Sequence, residues 1–285
     1  MNYGSFPAKF SYHRVGVICL SIFPSSPPAM QMQSAFEHFN EYRCMLKMTS
    51  GSSELDSLID GIQEGQFYLF YSANRTVLEG LVHGLLVNCV RSTKEHGFES
   101  RAVYVNNVDY YQQDKSAVLS PEKIAIAAKC ARIEPKIVFK NLFVQIAYNQ
   151  QHQLAVAKQV SEFIESKHED VKLLVINNLT KFFKDSKNKI SAAITIKEVL
   201  GMLCKTCARR KVAVVCTSDA NVTKKGVIPR PIGGTYLKHT FNVFVHFREF
   251  QYSSIKATLI KHQYSKTPRS AILYTKRTGK MLLLV

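Results

Sequence analysis

GQFYLFYSANRTVLEGLVHGLLVNCV, Gly65 to Val90, reads as a buried strand, a short turn and a long helix with an apolar face. FYLFYS is a continuous aromatic and apolar run, too short for a helix and bounded by a glycine and a polar turn, which predicts a strand covered on both sides. The segment after the turn repeats apolar residues at helical spacing. Strand, turn and helix in this order form the layout of a phosphate-binding loop. Yet the turn from Ser72 to Glu79 contains neither glycine nor lysine.

The same rhythm continues on both sides. Strand-like runs occur at FYLFYS (Phe67 to Ser72), RAVYVN (Arg101 to Asn106), KLLVIN (Lys172 to Asn177) and KVAVVCT (Lys211 to Thr217), separated by segments of helical period. Apolar β-branched runs between helices predict a parallel sheet with helices on both faces. After Phe241 the pattern changes to FNVFVHF, IKATLIKH, SAILYT and KMLLLV with short turns, which predicts antiparallel strands along one edge. The fold class read from the chain is therefore α/β, a mostly parallel central sheet flanked by helices with antiparallel strands at its C-terminal edge.

With 285 residues and 46% hydrophobic content, the chain has enough apolar surface for one sizeable core. Its 38 Lys and Arg against 21 Asp and Glu give a net charge of +17, a field attractive to polyanions. Seven cysteines without a small-domain framework point to a reducing compartment, and the cytoplasm is expected. VGVICLSIF (Val15 to Phe23) is the apolar run nearest the start; it is too short to span a bilayer. It leads into Pro24, Ser25, Ser26, Pro27 and Pro28, a breaker-rich linker rather than a cleavage site. Residues 1–44 are expected to be an N-terminal extension and residues 45–285 the folded core.

Four stretches then point to a family. TSGSSELDSLIDGIQEG (Thr49 to Gly65) resembles the lead into the phosphate loop of the RecA/RadA recombinases. AYNQQHQ (Ala147 to Gln153) is similar to their N-x-x-H-Q segment, and RPIGGTYLKH (Arg230 to His239) to their P-x-G-G-x-x-x-x-H element. KLLVINNLTKFF (Lys172 to Phe183) stands in the place of their second nucleotide-binding strand. Order and spacing agree over Met45 to Val285, and the likeness is nearest to archaeal RadA and its paralogues. It implies a RecA-like domain.

What the resemblance implies about chemistry is a loss. The loop pattern GxxxxGK[ST] uses glycines for close backbone approach, lysine for phosphate charge and a hydroxyl for Mg²⁺. The matching positions here run Ser72, Ala73, Asn74, Arg75, Thr76, Val77, Leu78 and Glu79: Leu78 replaces the lysine and Glu79 the hydroxyl. Asn177 stands where the second strand would carry its Mg²⁺-linked Asp, and Val108 where the water-activating Glu would be, with Asp109 one residue on and facing the other way. Asp219 takes the place of a polar sensor. Glu79 is expected in the first helical turn, standing in for a phosphate's charge; Thr76 is the expected N-cap, and Arg75 is read as a solvated cation. No catalytic residue, cofactor or metal is expected, and ATP hydrolysis is expected to be lost.

Other chemistry is poorly supported. Cys204 and Cys207 form a CxxC inside a helical pattern and read as packing residues. Ser218 and Asp219 lack a nucleophile elbow. The family likeness places two basic loops toward DNA: TKFFKDSKNK, with Lys181, Lys184, Lys187 and Lys189, and NVTKKGVIPR, with Lys224, Lys225 and Arg230. The expected partner is DNA, single- or double-stranded and without sequence preference, together with an active RadA-type recombinase; no membrane is expected. An accessory role in homologous recombination and DNA repair is the first reading. Two alternatives stay open: a regulatory protein-binding module on a RecA- or KaiC-like fold, and an ATPase with an unorthodox site.

Overall fold

The computed structural model describes residues 34, 36, 40, 43–108, 119–166, 170–221, 228–233, 236–251, 254–278 and 281–284. VGVICLSIF and the Pro24–Pro28 linker lie outside them. The chain divides into two compact units, Met1–Cys44 and Met45–Val285. In the second the elements are β1 (Lys47–Met48), α1 (Ser53–Ile59), β2 (Ile62–Gln63), β3 (Phe67–Ser72), α2 (Arg75–Val90), β4 (Arg101–Asn107), α3 (Pro121–Cys130), α4 (Pro135–Lys140), β5 (Leu142–Ala147) and α5 (Gln150–Glu165). There follow β6 (Val171–Asn177), α6 (Lys181–Asp185), α7 (Lys189–Arg209), β7 (Ala213–Asp219), α8 (Tyr236–Thr240), β8 (Val243–Glu249), β9 (Ser254–Lys261), β10 (Arg269–Thr278) and β11 (Met281–Leu284).

Among the described residues nine strands form one sheet in the order β11-β10-β9-β8-β3-β7-β6-β4-β5. β8, β3, β7, β6, β4 and β5 are mutually parallel, and β9, β10 and β11 extend the β8 edge antiparallel. This is the RecA-like α/β architecture expected from the sequence. β3 lies in the middle, and its alternating side chains serve both faces. Tyr68 and Phe70 enter a core with α1 and α2, whereas Leu69 and Tyr71 enter a second core with α5 and α7. Phe70 meets the ring of Phe247 edge-on at 5.3 Å. The Tyr68 hydroxyl, buried beside them, donates to Gly61 O at 3.2 Å and accepts from Gln63 N at 2.7 Å. A strand buried on both sides at the centre of a sheet must be apolar throughout, which is why FYLFYS shows no alternation.

Two departures from the sequence reading concern elements. β5, LFVQIA, was not among the expected strands; it forms the edge beside β4, with Val144 and Gln145 exposed. The strand expected at Lys211–Thr217 runs instead from Ala213 to Asp219, so Asp219 ends the strand and is held in its ladder, paired in register with Ser72.

Candidate functional site at the carboxyl ends of the parallel strands

Ligands of open α/β sheets bind beyond the carboxyl ends of the strands, and there β3, β7, β6 and β4 end side by side. Ser72 closes β3 fully buried, and its hydroxyl accepts from Asn74 N at 3.0 Å. Asn74, not Thr76, is the N-cap of α2: its Oδ1 accepts from Thr76 N at 2.9 Å, and its Nδ2 donates to Glu249 Oε1 at 2.7 Å. Thr76 is exposed. An asparagine oxygen two residues ahead of the first free N–H reaches it better than a threonine already inside the helix.

Val77 and Leu78 point into the core, 3% and 4% exposed. Because the cap falls at Asn74, Glu79 lies past the first turn rather than in it. Its carboxylate meets Lys123 Nζ of α3 at 2.5 Å. The charge expected to face the helix N-terminus therefore joins α2 to α3 instead.

Arg75 is not a solvated cation. Its Nε and Nη2 donate to the two oxygens of Asp219 at 3.1 and 3.0 Å, and Lys184 Nζ reaches Asp219 Oδ2 at 2.7 Å. The register Ser72↔Asp219 explains the pairing: a residue just past the end of β3 folds over the end of β7. Burial alone would raise the Asp219 carboxyl, but the hydrogen bonds and charges of Arg75 and Lys184 outweigh it and hold the group below its ordinary value of 3.8. A planar guanidinium and a carboxylate in bidentate contact, reinforced by an ammonium, make a cluster in which one carboxylate serves two cations.

The neighbouring strand ends carry uncharged polar groups. Asn177 Nδ2 donates to Asn106 Oδ1 at 3.0 Å, Thr217 Oγ1 donates to Asn177 Oδ1 at 2.6 Å, and Asn107 Nδ2 donates to Asn177 O at 3.0 Å. This network crosslinks β4, β6 and β7. Val108 follows β4, is 9% exposed, and its N–H bonds Ala147 O at 3.0 Å. Asp109 lies outside the described residues.

The lysines expected to face DNA are placed unequally. Lys181 is 8% exposed and paired with Asp185 at 2.9 Å, so its ammonium is buried rather than presented to solvent. Lys189 donates to Phe183 O and Lys184 O, at 2.8 and 2.7 Å, capping the carbonyl end of α6. Lys184 is half exposed while bonded to Asp219, and Lys187 and Arg230 are exposed. Lys224 and Lys225 lie outside the described residues. The segment of Arg230 returns to β7: Asn221 N donates to Arg230 O at 2.8 Å and Ile232 N to Asp219 O at 3.0 Å. Gly233 makes this return possible at φ +122°, where a Cβ would come within 2.6 Å of Leu237 and 2.8 Å of Thr180.

A family model described as Rad51 matches residues 41–262, well over half of the chain. The chain belongs to the Rad51 family. It is thereby a RecA-family protein related to recombination and repair, on a fold of the P-loop NTPase kind. Within this Rad51 domain the CxxC is a packing feature. Cys207 is buried in the core, Cys204 is partly buried on the same helix, and burial pushes the Cys204 thiol up to about 12. Among the described residues no group of three or more His, Cys, Asp or Glu is arranged to hold a metal, and no helix is long and apolar enough to cross a membrane.

Proposed function

We propose that this Rad51-family chain is an accessory factor in homologous recombination and DNA repair that contacts the DNA backbone and does not hydrolyse ATP. The Arg75–Asp219–Lys184 cluster carries the reading. It stands where a triphosphate would require cations, and it already satisfies those cations with a carboxylate of the same chain. The remaining side chains fit Mg²⁺-ATP no better. Leu78 supplies an apolar group to the core in place of a phosphate-binding ammonium. Glu79 brings a negative charge, and Asn177 an amide already engaged by Asn106 and Thr217. A phosphate arriving at the turn would have to displace Asp219 from two partners, at a cost of several charge-assisted hydrogen bonds.

Support for DNA comes from the +17 charge and from the exposed Lys187 and Arg230 at the same end of the sheet. Isothermal calorimetry and a phosphate-release assay, with and without DNA, are expected to show neither micromolar ATP affinity nor turnover. Fluorescence anisotropy is expected to show sequence-independent DNA binding that weakens steeply with salt. Turnover abolished by Arg75→Ala would instead establish the unorthodox ATPase.

A second reading, contact with an active recombinase, is favoured by the β5 edge. Among the described residues β5 ends the sheet, its outer side paired with no described strand, and beside it an apolar cleft of about 230 Å³ is lined by Tyr104, Leu119, Ile124, Leu142 and Ile146. An open edge next to an apolar cleft suits addition of a partner's strand. Co-purification of a recombinase that is lost on charging Val144 would support it; recovery unaffected by that change would remove β5 from the interface.

A further inference from the structure

At the amino-terminal ends of β6 and β7, opposite the Asp219 cluster, α7 closes in a left-handed turn. Arg210 is its C-cap; Lys211 N donates to Ala208 O at 3.3 Å and Val212 N to Cys207 O at 2.8 Å. This pair of bonds is the Schellman closure, in which the first residue past the cap is left-handed and most often glycine. Here that residue is Lys211, at φ +53°. A side chain strains the backbone in this conformation, and glycine would relieve it. Burial does not account for the lysine, which is exposed. The dipole of α7 favours cations at this end, but Arg209 and Arg210 already supply them. The chain thus holds a further cation at this corner against the preference of its backbone.

Lys211 lines a cleft of about 290 Å³ whose walls are the ends of α5 and α7 and the start of β6. Two cations of the lining are held by carboxylates of the chain. Lys172 Nζ meets Glu64 at 3.1 Å, and Arg209 meets Glu165, which also accepts from Thr206 Oγ1 at 3.0 Å. Arg210 and Lys211 are exposed and make no ion pair among the described residues. A fixed frame with two open cations suits carboxylates: Arg210 offers a planar fork of donors and Lys211 a point charge. Asp170, also exposed, lines the same cleft. A phosphodiester chain, charged at every residue, would bring a phosphate against it. A peptide can set a neutral residue or a backbone N–H there and keep its carboxylates on the two cations.

We propose that this cleft docks an acidic segment of a partner protein, with carboxylates on Arg210 and Lys211. The site goes beyond the functional reading above and depends neither on DNA at the carboxyl ends nor on a strand added at β5.

The test is fluorescence anisotropy of the full chain with labelled oligoglutamate, with oligoglutamine as the neutral control and a DNA oligonucleotide as competitor. Oligoglutamate is expected to bind and oligoglutamine is not. Arg210→Ala with Lys211→Gly is expected to weaken oligoglutamate binding on the order of 10-fold. Lys187→Ala with Arg230→Ala removes the same charge from the other end and should leave that binding nearly unchanged. Lys211→Gly alone should weaken binding and yet raise the midpoint of thermal unfolding, because it relieves the left-handed turn. A lysine that served only the helix end would lose no affinity. Saturating DNA should leave the peptide bound. Absence of oligoglutamate binding at low salt, equal losses from the two charge pairs, unchanged affinity in Lys211→Gly, or displacement of the peptide by DNA would each overturn the site.

Discussion

Asp219 is met by Arg75 and Lys184, 144 and 35 residues away in the chain. Neither partner is readable from local sequence. Leu78, Glu79 and Asn177 can be read against the resembling motifs because each sits at a fixed offset within its stretch. The Arg75–Asp219 pair is created by the β3–β7 register and needs the strand order, which no motif encodes. The pair also gives a pH dependence. Because the folded carboxyl is held below 3.8, its contribution to stability is fully present above that value and is lost as the pH falls through and below it. Asp219→Asn removes the charge while keeping the shape, leaving Arg75 and Lys184 to repel each other. At pH 7 it is expected to cost about 1–3 kcal/mol. Between about pH 5 and 2 the difference from the parent should shrink as the parent's own carboxylate is protonated. Urea denaturation across that range measures it, and a difference independent of pH would show that Asp219 matters for shape alone.

Elements were legible where their two faces have the same fate, and harder to see where they do not. β3 and β6, buried on both sides, announce themselves as unbroken apolar runs. β5 does not, because PKIVFKNLFVQIAY continues from the helix α4 into the strand with no glycine between them, and the edge position leaves Val144 and Gln145 in solvent. Periodicity cannot divide such a stretch. The start of α2 was misplaced by two residues for a related reason: Asn74 and Thr76 are both competent caps, and the choice is made by Ser72 and Glu249, which hold Asn74 from either side. Asn74→Ala is expected to lower stability by about 1 kcal/mol, and Asn74→Ser, which can still cap, by less. Thr76→Ala should be nearly neutral. Thermal unfolding of the three variants decides between the caps; a larger loss from Thr76→Ala would reverse the assignment.

At the scale of the whole molecule, composition announced a positive field but not its arrangement, because charge has no periodicity that survives folding. Described cations gather at both ends of the parallel strands: Lys184, Lys187 and Arg230 near the carboxyl ends, and Lys172, Arg209, Arg210 and Lys211 around a cleft at the opposite ends. Some of the second group is already compensated, Lys172 by Glu64 and Arg209 by Glu165. The six steps of β7 from Ala213 to Asp219 separate its two ends by about 20 Å at roughly 3.3 Å per residue. That is between two and three times the Debye length of about 8 Å at physiological ionic strength. A phosphate held at one end is therefore screened from charges at the other. This permits a matched comparison in which net charge changes by the same amount. Lys187→Ala with Arg230→Ala is expected to reduce the magnitude of the log–log salt slope for DNA by up to about two, with similar losses on unrelated sequences. Arg210→Ala with Lys211→Ala, equally costly in charge, is expected to leave the slope and the affinity at physiological salt nearly unchanged. Both pairs are exposed and should fold with little loss of stability. Anisotropy titrations on one oligonucleotide suffice to compare them. Equal reductions from the two pairs would mean that DNA responds to the overall field of the protein, and the basic segment around Arg230 would then have no special claim on the phosphates.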